Sequence, residues 1–273
     1  MTRSTVFLLK KALFVGLLAN GLSINTFAQK MPKIYYAILS EGVNLYENPS
    51  TQANALTTVA YGSQVTFSNS DIDKLEMVDN PVVVNDTRTY WMKVIYNNVS
   101  GYVVKNNFAS IKPPEENTGK LSDWIKQLSR PAGNKWESGK ISESLSESEH
   151  DNYLSRQIFQ NGMLLTVTSG YDINFSETLQ IPHTDVLTVY NLIKNIRSFY
   201  PILKLNTALR EENAIVKDNE GNEYKWKISH KAQEESEDKV IKSIEIIWNN
   251  GINNTLSISA MGSDVVVFYE NTL

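Results

Sequence analysis

The sequence predicts an all-β barrel followed by an α+β domain. Between residues 34 and 109, short runs alternate apolar and polar side chains and are separated by turn residues, which is the pattern of β-strands. From residue 120 onward, apolar residues spaced three and four apart occur together with alternating runs. That combination indicates helices packed on one face of a sheet.

Four short motifs follow one another in the barrel segment: Val43-Asn44-Leu45-Tyr46-Glu47-Asn48-Pro49-Ser50, Gly62-Ser63-Gln64-Val65, Trp91-Met92-Lys93-Val94 and Asn98-Val99-Ser100-Gly101-Tyr102-Val103. They resemble the L-N-V-R-x-G-P-S element, the G-x-x-V turn, the W-x-K-V strand and the closing G-x-x-G-(Y/W)-V turn of bacterial SH3 domains. The resemblance implies an SH3-like barrel over residues 31–111 and a binding module of the cell envelope.

The barrel segment departs from this family pattern at several places. Asn98 stands where glycine is usual, and Tyr46 and Glu47 stand where a basic and a small residue are common. The polar residues 68–89 make the loop before Trp91 much longer than usual. This insertion is either a specificity element or a tolerated excursion.

The second domain is predicted over residues 120–273, after a proline-containing linker at 112–119. Its first helix covers 121–128 and ends before Pro131, since its apolar residues fall at helical spacing: Leu121, Trp124, Ile125 and Leu128. We expect the Ser/Glu-rich residues 137–151 to form a solvated loop, with a calcium site as the alternative.

The remainder of this domain predicts strands at 163–167 and 171–180, then a helix over 185–200 that Thr184 or Asp185 caps and Pro201 stops. Five strand-like runs follow, separated by turns or by a charged loop at 231–238. Their two-faced alternation predicts a half-solvated antiparallel meander with helices on its other face.

The N-terminus has the features of a secretion signal over residues 1–28. Basic residues precede an apolar run at 12–22 that is shorter than the about 20 residues a membrane span needs. Thr26-Phe27-Ala28 places small residues at the two positions that a signal peptidase reads. We therefore predict cleavage before Gln29, a periplasmic or secreted location and no membrane span afterwards, with an uncleaved anchor as the alternative.

Charge and cysteine content exclude several kinds of site. Removing residues 1–28 takes away three of the 26 basic residues and none of the 30 acidic ones, which leaves a net charge of −7 and argues against a nucleic-acid partner. The chain has no cysteine. A thiol nucleophile, a disulfide framework, a thiolate metal site and a lipid-modified cysteine are therefore excluded.

No sequence motif indicates catalysis or a cofactor. A G-x-S-x-G elbow and a phosphate-binding glycine loop are both missing, and His150, His183 and His230 lack the close spacing of zinc ligands. A glycosidase needs only two carboxylates a few ångströms apart. The candidates by residue type, which we expect on solvated strands or loops, are Glu177, Glu211, Glu212 and Glu245.

Aromatic residues of the barrel are the predicted ligand-binding site. If Val94 faces the core, Trp91 points to the opposite side of its strand. Tyr46 and Tyr102 lie on flanking elements and complete a shallow aromatic surface, which suits peptide or sugar ligands. The alternative is that these rings are buried against the insertion or the second domain.

These observations predict an exported, non-catalytic envelope protein that binds a peptide, a peptidoglycan fragment or another envelope protein. Two alternatives stay open. One is a cell-envelope polymer hydrolase that uses carboxylates of the second domain. The other is a structural or inhibitory protein in which the barrel docks onto the second domain.

Overall fold

The computed structural model describes residues 34–67, 78–84, 87–138, 153–170, 173–205, 209, 212–233 and 236–272. All of them belong to one compact unit that spans Lys33–Leu273. The predicted signal at 1–28 and most of the predicted loop at 137–151 lie outside the described residues. In the described part of the chain, no helix has the length and apolar character needed to cross a membrane.

The first sheet is built from residues 34 to 109. Its strands are β1 Ile34–Ala37, β2 Val43–Tyr46, β3 Ala55–Val59, β4 Gln64–Phe67, β5 Val78–Val84, β6 Thr87–Tyr96, β7 Val99–Val104 and β8 Phe108–Ala109. They pair antiparallel in the order β3-β2-β7-β6-β4-β1-β8, with β5 beside β6. This arrangement confirms the barrel-like, all-β character of the segment.

Alternation along the strands gives this barrel one apolar interior. Val43 and Leu45 of β2 point inward together with Met92 and Val94 of β6 and Val103 of β7. The predicted inward face of β6 is confirmed, because Tyr96 also packs against this core. Trp91 belongs to the opposite face of β6.

The insertion before Trp91 is partly a strand. β5 pairs with β6 and forms a two-stranded extension of the barrel, with a register shift between Val78 and Pro81. A proline is tolerated in a strand at such an irregularity because it cannot donate a ladder hydrogen bond. The β-branched run Val82–Val84 favours this strand. Residues 68–77 of the predicted loop lie outside the described part.

The second sheet is antiparallel throughout. Its strands are β9 Trp136–Glu137, β10 Tyr153–Ile158, β11 Leu164–Ser169, β12 Ile173–Ile181, β13 Asn213–Lys217, β14 Glu223–Gln233, β15 Ser236–Asn249, β16 Asn253–Met261 and β17 Asp264–Thr272. Their order is β13-β14-β15-β16-β17-β12-β11-β10-β9. The five last strands form the predicted meander, which β17 joins to β12.

Helices cover one face of this sheet: α1 Leu121–Leu128, α2 Val186–Ile193 and the short α3 Tyr200–Leu203. α1 has the predicted bounds, and Asp185 caps α2 by accepting a hydrogen bond from the Thr188 amide at 2.8 Å. The prediction of one helix over 185–200 is wrong. The chain turns after Ile193, and Pro201 lies in the first turn of α3, where proline is tolerated.

The α+β class predicted for the second half stays a prediction, and only its antiparallel sheet with a few helices is established. The described residues are mostly β, with antiparallel sheets and few helices. One reason is that β14 and β15 continue into the predicted charged loop at 231–238, where Lys231 pairs with Val240. Polar residues in this stretch extend a hairpin, since a strand with one solvated face accepts them.

The barrel and the second sheet share a core. Ile38 and Ala109 of the barrel lie in the same apolar cluster as Leu121, Trp124 and Ile125 of α1. The predicted linker between them is not a free tether, because Pro113 and Pro114 are buried and the Trp124 indole donates to the Lys112 carbonyl at 3.1 Å. The predicted domain boundaries stay a prediction.

Candidate binding surface

The aromatic residues predicted as the site come together on the outside of the barrel. Tyr46 and Tyr102 are directly opposite each other in the pairing of β2 with β7, which places their side chains on one face. Trp91, on β6, meets the Tyr46 ring edge to face, with ring centroids 5.7 Å apart and planes at 89°. The structure therefore assembles all three residues.

The three aromatic residues differ in their exposure to solvent. Trp91 is only 3 % exposed and belongs to neither of the two apolar cores found among the described residues. It lies opposite Val104 on β7, which is also buried. Tyr46 and Tyr102 remain partly exposed. The prediction that Trp91 presents its ring to a ligand is wrong for this structure, since Trp91 supports the surface from below.

A lysine completes this surface. Lys93 pairs with Tyr102 in the β6–β7 ladder, and its Nζ lies 5.7 Å from the centre of the Tyr102 ring. A cation over an aromatic face is attracted by the ring quadrupole. We refer to Tyr46, Tyr102 and Lys93, resting on Trp91, as the barrel aromatic surface. Lys93 was missed as a site residue, although its alternation with Trp91 and Ile95 already turned it outward.

Close approach of β2 and β7 holds the two tyrosines in place. A Cβ atom on Gly101 would lie 2.7 Å from the Tyr46 carbonyl oxygen and 2.8 Å from Leu45 Cγ, so only glycine fits here without movement of a strand. The turn between β6 and β7 has Asn97 and Asn98 at φ 49° and 64°. Asparagine is among the residues that tolerate this left-handed conformation, which explains Asn98 where glycine is usual.

The candidate carboxylates within the described residues do not face one another in the second sheet. Glu177 is fully buried on the helix-covered face, so the prediction of a solvated position is wrong for it. Glu245 alternates with the buried Ile244 and Ile246 and lies on the opposite face. Glu212 is exposed next to β13, five strands from β12, or about 24 Å at the usual strand spacing. Glu211 lies outside the described residues.

The pKa of Glu177 depends on its burial and on its contact with the N-terminal end of α1. Its Oε1 accepts a hydrogen bond from the Ser122 amide of α1 at 3.3 Å, whereas Oε2 is buried with no hydrogen-bond partner among the described residues. Burial raises the pKa of this carboxyl, while the contacts with Ser122 and the nearby Lys120 act in the opposite direction. The side chain thus caps α1 from a distant strand.

The histidines are dispersed. His183 is exposed in the turn before α2, His230 is partly buried on β14, and His150 lies outside the described residues. No three His, Asp or Glu side chains of the described part are grouped so that they could hold a metal ion.

A comparison with known protein families bears on the barrel. Residues 41–108 match the family model described as bacterial SH3 domain, a range that includes the whole barrel aromatic surface. A search of curated proteins found no match, and neither did a search of solved structures. The resemblance seen in the four motifs is confirmed, and the barrel of this chain is a bacterial SH3 domain.

Proposed function

We propose that this chain is an exported, non-catalytic protein of the bacterial cell envelope that binds a peptide, a peptidoglycan fragment or a protein partner through the barrel aromatic surface. A bacterial SH3 domain suggests a binding module, often related to the cell wall. The observation that carries the proposal is that two partly exposed tyrosine rings and a lysine are assembled on one outer face of this domain.

The position of this surface supports binding over internal docking. The barrel contacts the second half through the buried Ile38 and Ala109 and through β6, which approaches β15. Tyr46 and Tyr102 belong to β2 and β7 and remain partly exposed. Aromatic side chains provide large contact areas at low entropic cost, and a neighbouring cation adds selectivity. The attachment of the barrel to the sheet therefore leaves this surface accessible.

A sedimentation assay with purified peptidoglycan tests the proposal. We expect the protein to pellet with the polymer, and the double variant Tyr46→Ala/Tyr102→Ala to bind at least about tenfold more weakly, because truncating a central aromatic contact removes more than about 1 kcal/mol. Lys93→Gln removes the charge and keeps both rings, and should give a smaller loss. Thermal unfolding establishes that each variant is folded.

Tyr153→Ala is the matched control. Tyr153 is also a partly buried ring under a lysine, with Lys135 Nζ 5.5 Å from its centre, but it lies in the second sheet outside the matched family range. Its removal should leave sedimentation unchanged. Equal binding by the wild type and the double variant would refute a role for this surface, and no binding by either would refute a peptidoglycan ligand.

The hydrolase alternative has less support. A retaining or inverting glycosidase needs two carboxyl groups roughly 5 to 10 Å apart across one groove. Glu177 and Glu245 lie on opposite faces of the second sheet, and Glu177 is enclosed beneath α1. We therefore keep the non-catalytic function as the proposal.

A further inference from the structure

A cleft of about 720 Å³ opens where the barrel meets the second half of the chain. Four separate segments form its walls: Ser40 comes from the turn between β1 and β2, and Tyr61 from the turn between β3 and β4. Glu116 comes from the connection before α1, and Arg197 from the turn after α2. Its volume lies in the range of small-molecule sites, which occur preferentially between structural units. We call it the junction cleft.

Hydrogen bonds hold the walls of the junction cleft in position. The Tyr61 hydroxyl donates to the Pro114 carbonyl at 2.7 Å, and the Asn195 amide donates to the Ile38 carbonyl at 3.3 Å. The Arg197 backbone amide donates to the Thr118 carbonyl at 2.9 Å. The cleft is therefore largely preformed, which reduces the conformational entropy lost when a ligand binds.

Two side chains of opposite charge in this cleft have no protein partner among the described residues. Within the described residues, the side chains of Glu116 and Arg197 form neither an ion pair nor a hydrogen bond, although both line the same cavity. Charges that neither neutralise each other nor serve the fold are available to a ligand that has the complementary groups.

The remaining lining favours an organic ligand over a simple ion. Tyr200 is 44 % exposed and lines the cleft together with Pro201, so part of the lining is apolar. Lys204 Nζ lies 5.0 Å from the centre of the Tyr200 ring, which places a further cation beside this ring. The amide of Asn117, which also lines the cleft, suits the backbone groups of a peptide.

We infer that the junction cleft binds a short peptide with a free ammonium group and a free carboxylate. Glu116 contacts the ammonium group, Arg197 contacts the carboxylate, and Tyr61 and Tyr200 contact the intervening residues. This site is separate from the barrel aromatic surface and does not depend on it.

Titration calorimetry with trialanine as the probe tests this inference. We expect the unblocked tripeptide to bind, and N-acetylation or C-terminal amidation each to weaken binding by about tenfold, because each removes one charge-assisted contact. In Glu116→Gln, acetylation should change the affinity by less than about twofold, and in Arg197→Gln amidation should have an equally small effect, since the partner charge is already absent. Both side chains are exposed, so the variants should fold normally.

The variant Tyr46→Ala/Tyr102→Ala should bind trialanine like the wild type, which separates this site from the proposed function. Two results would overturn the inference. One is no binding of trialanine at millimolar concentration, and the other is an equal effect of the blocking groups on the wild type and on both charge variants.

Discussion

At the scale of single residues, two features of Glu177 have opposite effects on the stability of its charged form. Its carboxyl caps the first turn of α1, where a negative charge is favoured by the helix dipole. One of its oxygens, however, is buried with no partner in the described part of the chain. A buried polar atom without a hydrogen bond costs about 1–3 kcal/mol. The cost of burying the carboxylate therefore outweighs its favourable contact with the helix end, in agreement with the raised pKa of the Glu177 carboxyl.

Stability should consequently depend on pH through Glu177. Because its folded-state pKa is raised, the folded protein holds the proton more tightly than the unfolded chain. The protonated Glu177 carboxyl therefore contributes fully to stability below the ordinary glutamate pKa. This contribution is lost as the pH rises through the raised pKa of the folded state. We predict that Glu177→Gln increases the free energy of unfolding by roughly 1 kcal/mol at neutral pH, and that the difference shrinks towards about pH 4.

Urea unfolding at several pH values measures this difference. Glu245→Gln is the control, because Glu245 lies on the opposite face of the same sheet and is partly exposed. It should change the free energy of unfolding by no more than about 0.5 kcal/mol. A Glu177→Gln variant that is less stable than the wild type at neutral pH would show that the charge on the α1 cap outweighs its burial.

At the scale of elements, β7 depends on a glycine for its approach to β2. We predict that Gly101→Ala lowers the free energy of unfolding by about 1–3 kcal/mol, since the new methyl group would lie within 3 Å of the Tyr46 carbonyl and Leu45. The variant should also weaken binding at the barrel aromatic surface, because moving β7 displaces Tyr102 from Tyr46. Chemical unfolding and peptidoglycan sedimentation measure the two effects.

Gly133→Ala provides the comparison for this substitution. A Cβ atom there meets no described residue within 4 Å, and Gly133 is exposed in the connection before β9. Its replacement should leave stability and binding within error of the wild type. If both alanine variants have the same free energy of unfolding, the close approach of β2 and β7 does not contribute measurably to stability.

At the scale of the whole molecule, Ile38 couples the SH3 domain to the second sheet. It is 1 % exposed, it belongs to the larger core, and its carbonyl accepts the hydrogen bond from Asn195. We predict that Ile38→Ala lowers the free energy of unfolding by about 2–5 kcal/mol and accelerates amide exchange in both β1 and α1. Hydrogen–deuterium exchange with mass spectrometry measures both elements in one experiment.

Ile34→Ala is the matched control, since Ile34 begins β1, the strand that ends just before Ile38, but is 41 % exposed. It should change neither stability nor exchange appreciably. Faster exchange restricted to the barrel in Ile38→Ala would mean that the two parts of the chain fold independently.

The sequence allowed prediction of features that depend on neighbouring residues. The period of two in YWMKVIY placed Met92 and Val94 inward, and the helical spacing from Leu121 to Leu128 matched α1 residue for residue. The end of α2 could not be predicted from periodicity, because apolar residues continue past Ile193. The chain there makes turns whose shape depends on packing, with Ile196 and Phe199 in the core.

The candidate site was also predictable only in part, because some of its features depend on local sequence and others on packing. Short motifs identified the SH3 domain and selected Tyr46, Trp91 and Tyr102, because turn glycines and strand alternation are local signals. Only the tertiary structure decided that Trp91 is the buried support of this surface and Glu177 a buried cap. Only it formed the junction cleft from four segments that are separate in the sequence. Burial and charge pairing depend on which segments meet in space, and this information is not contained in the spacing of residues along one strand or helix.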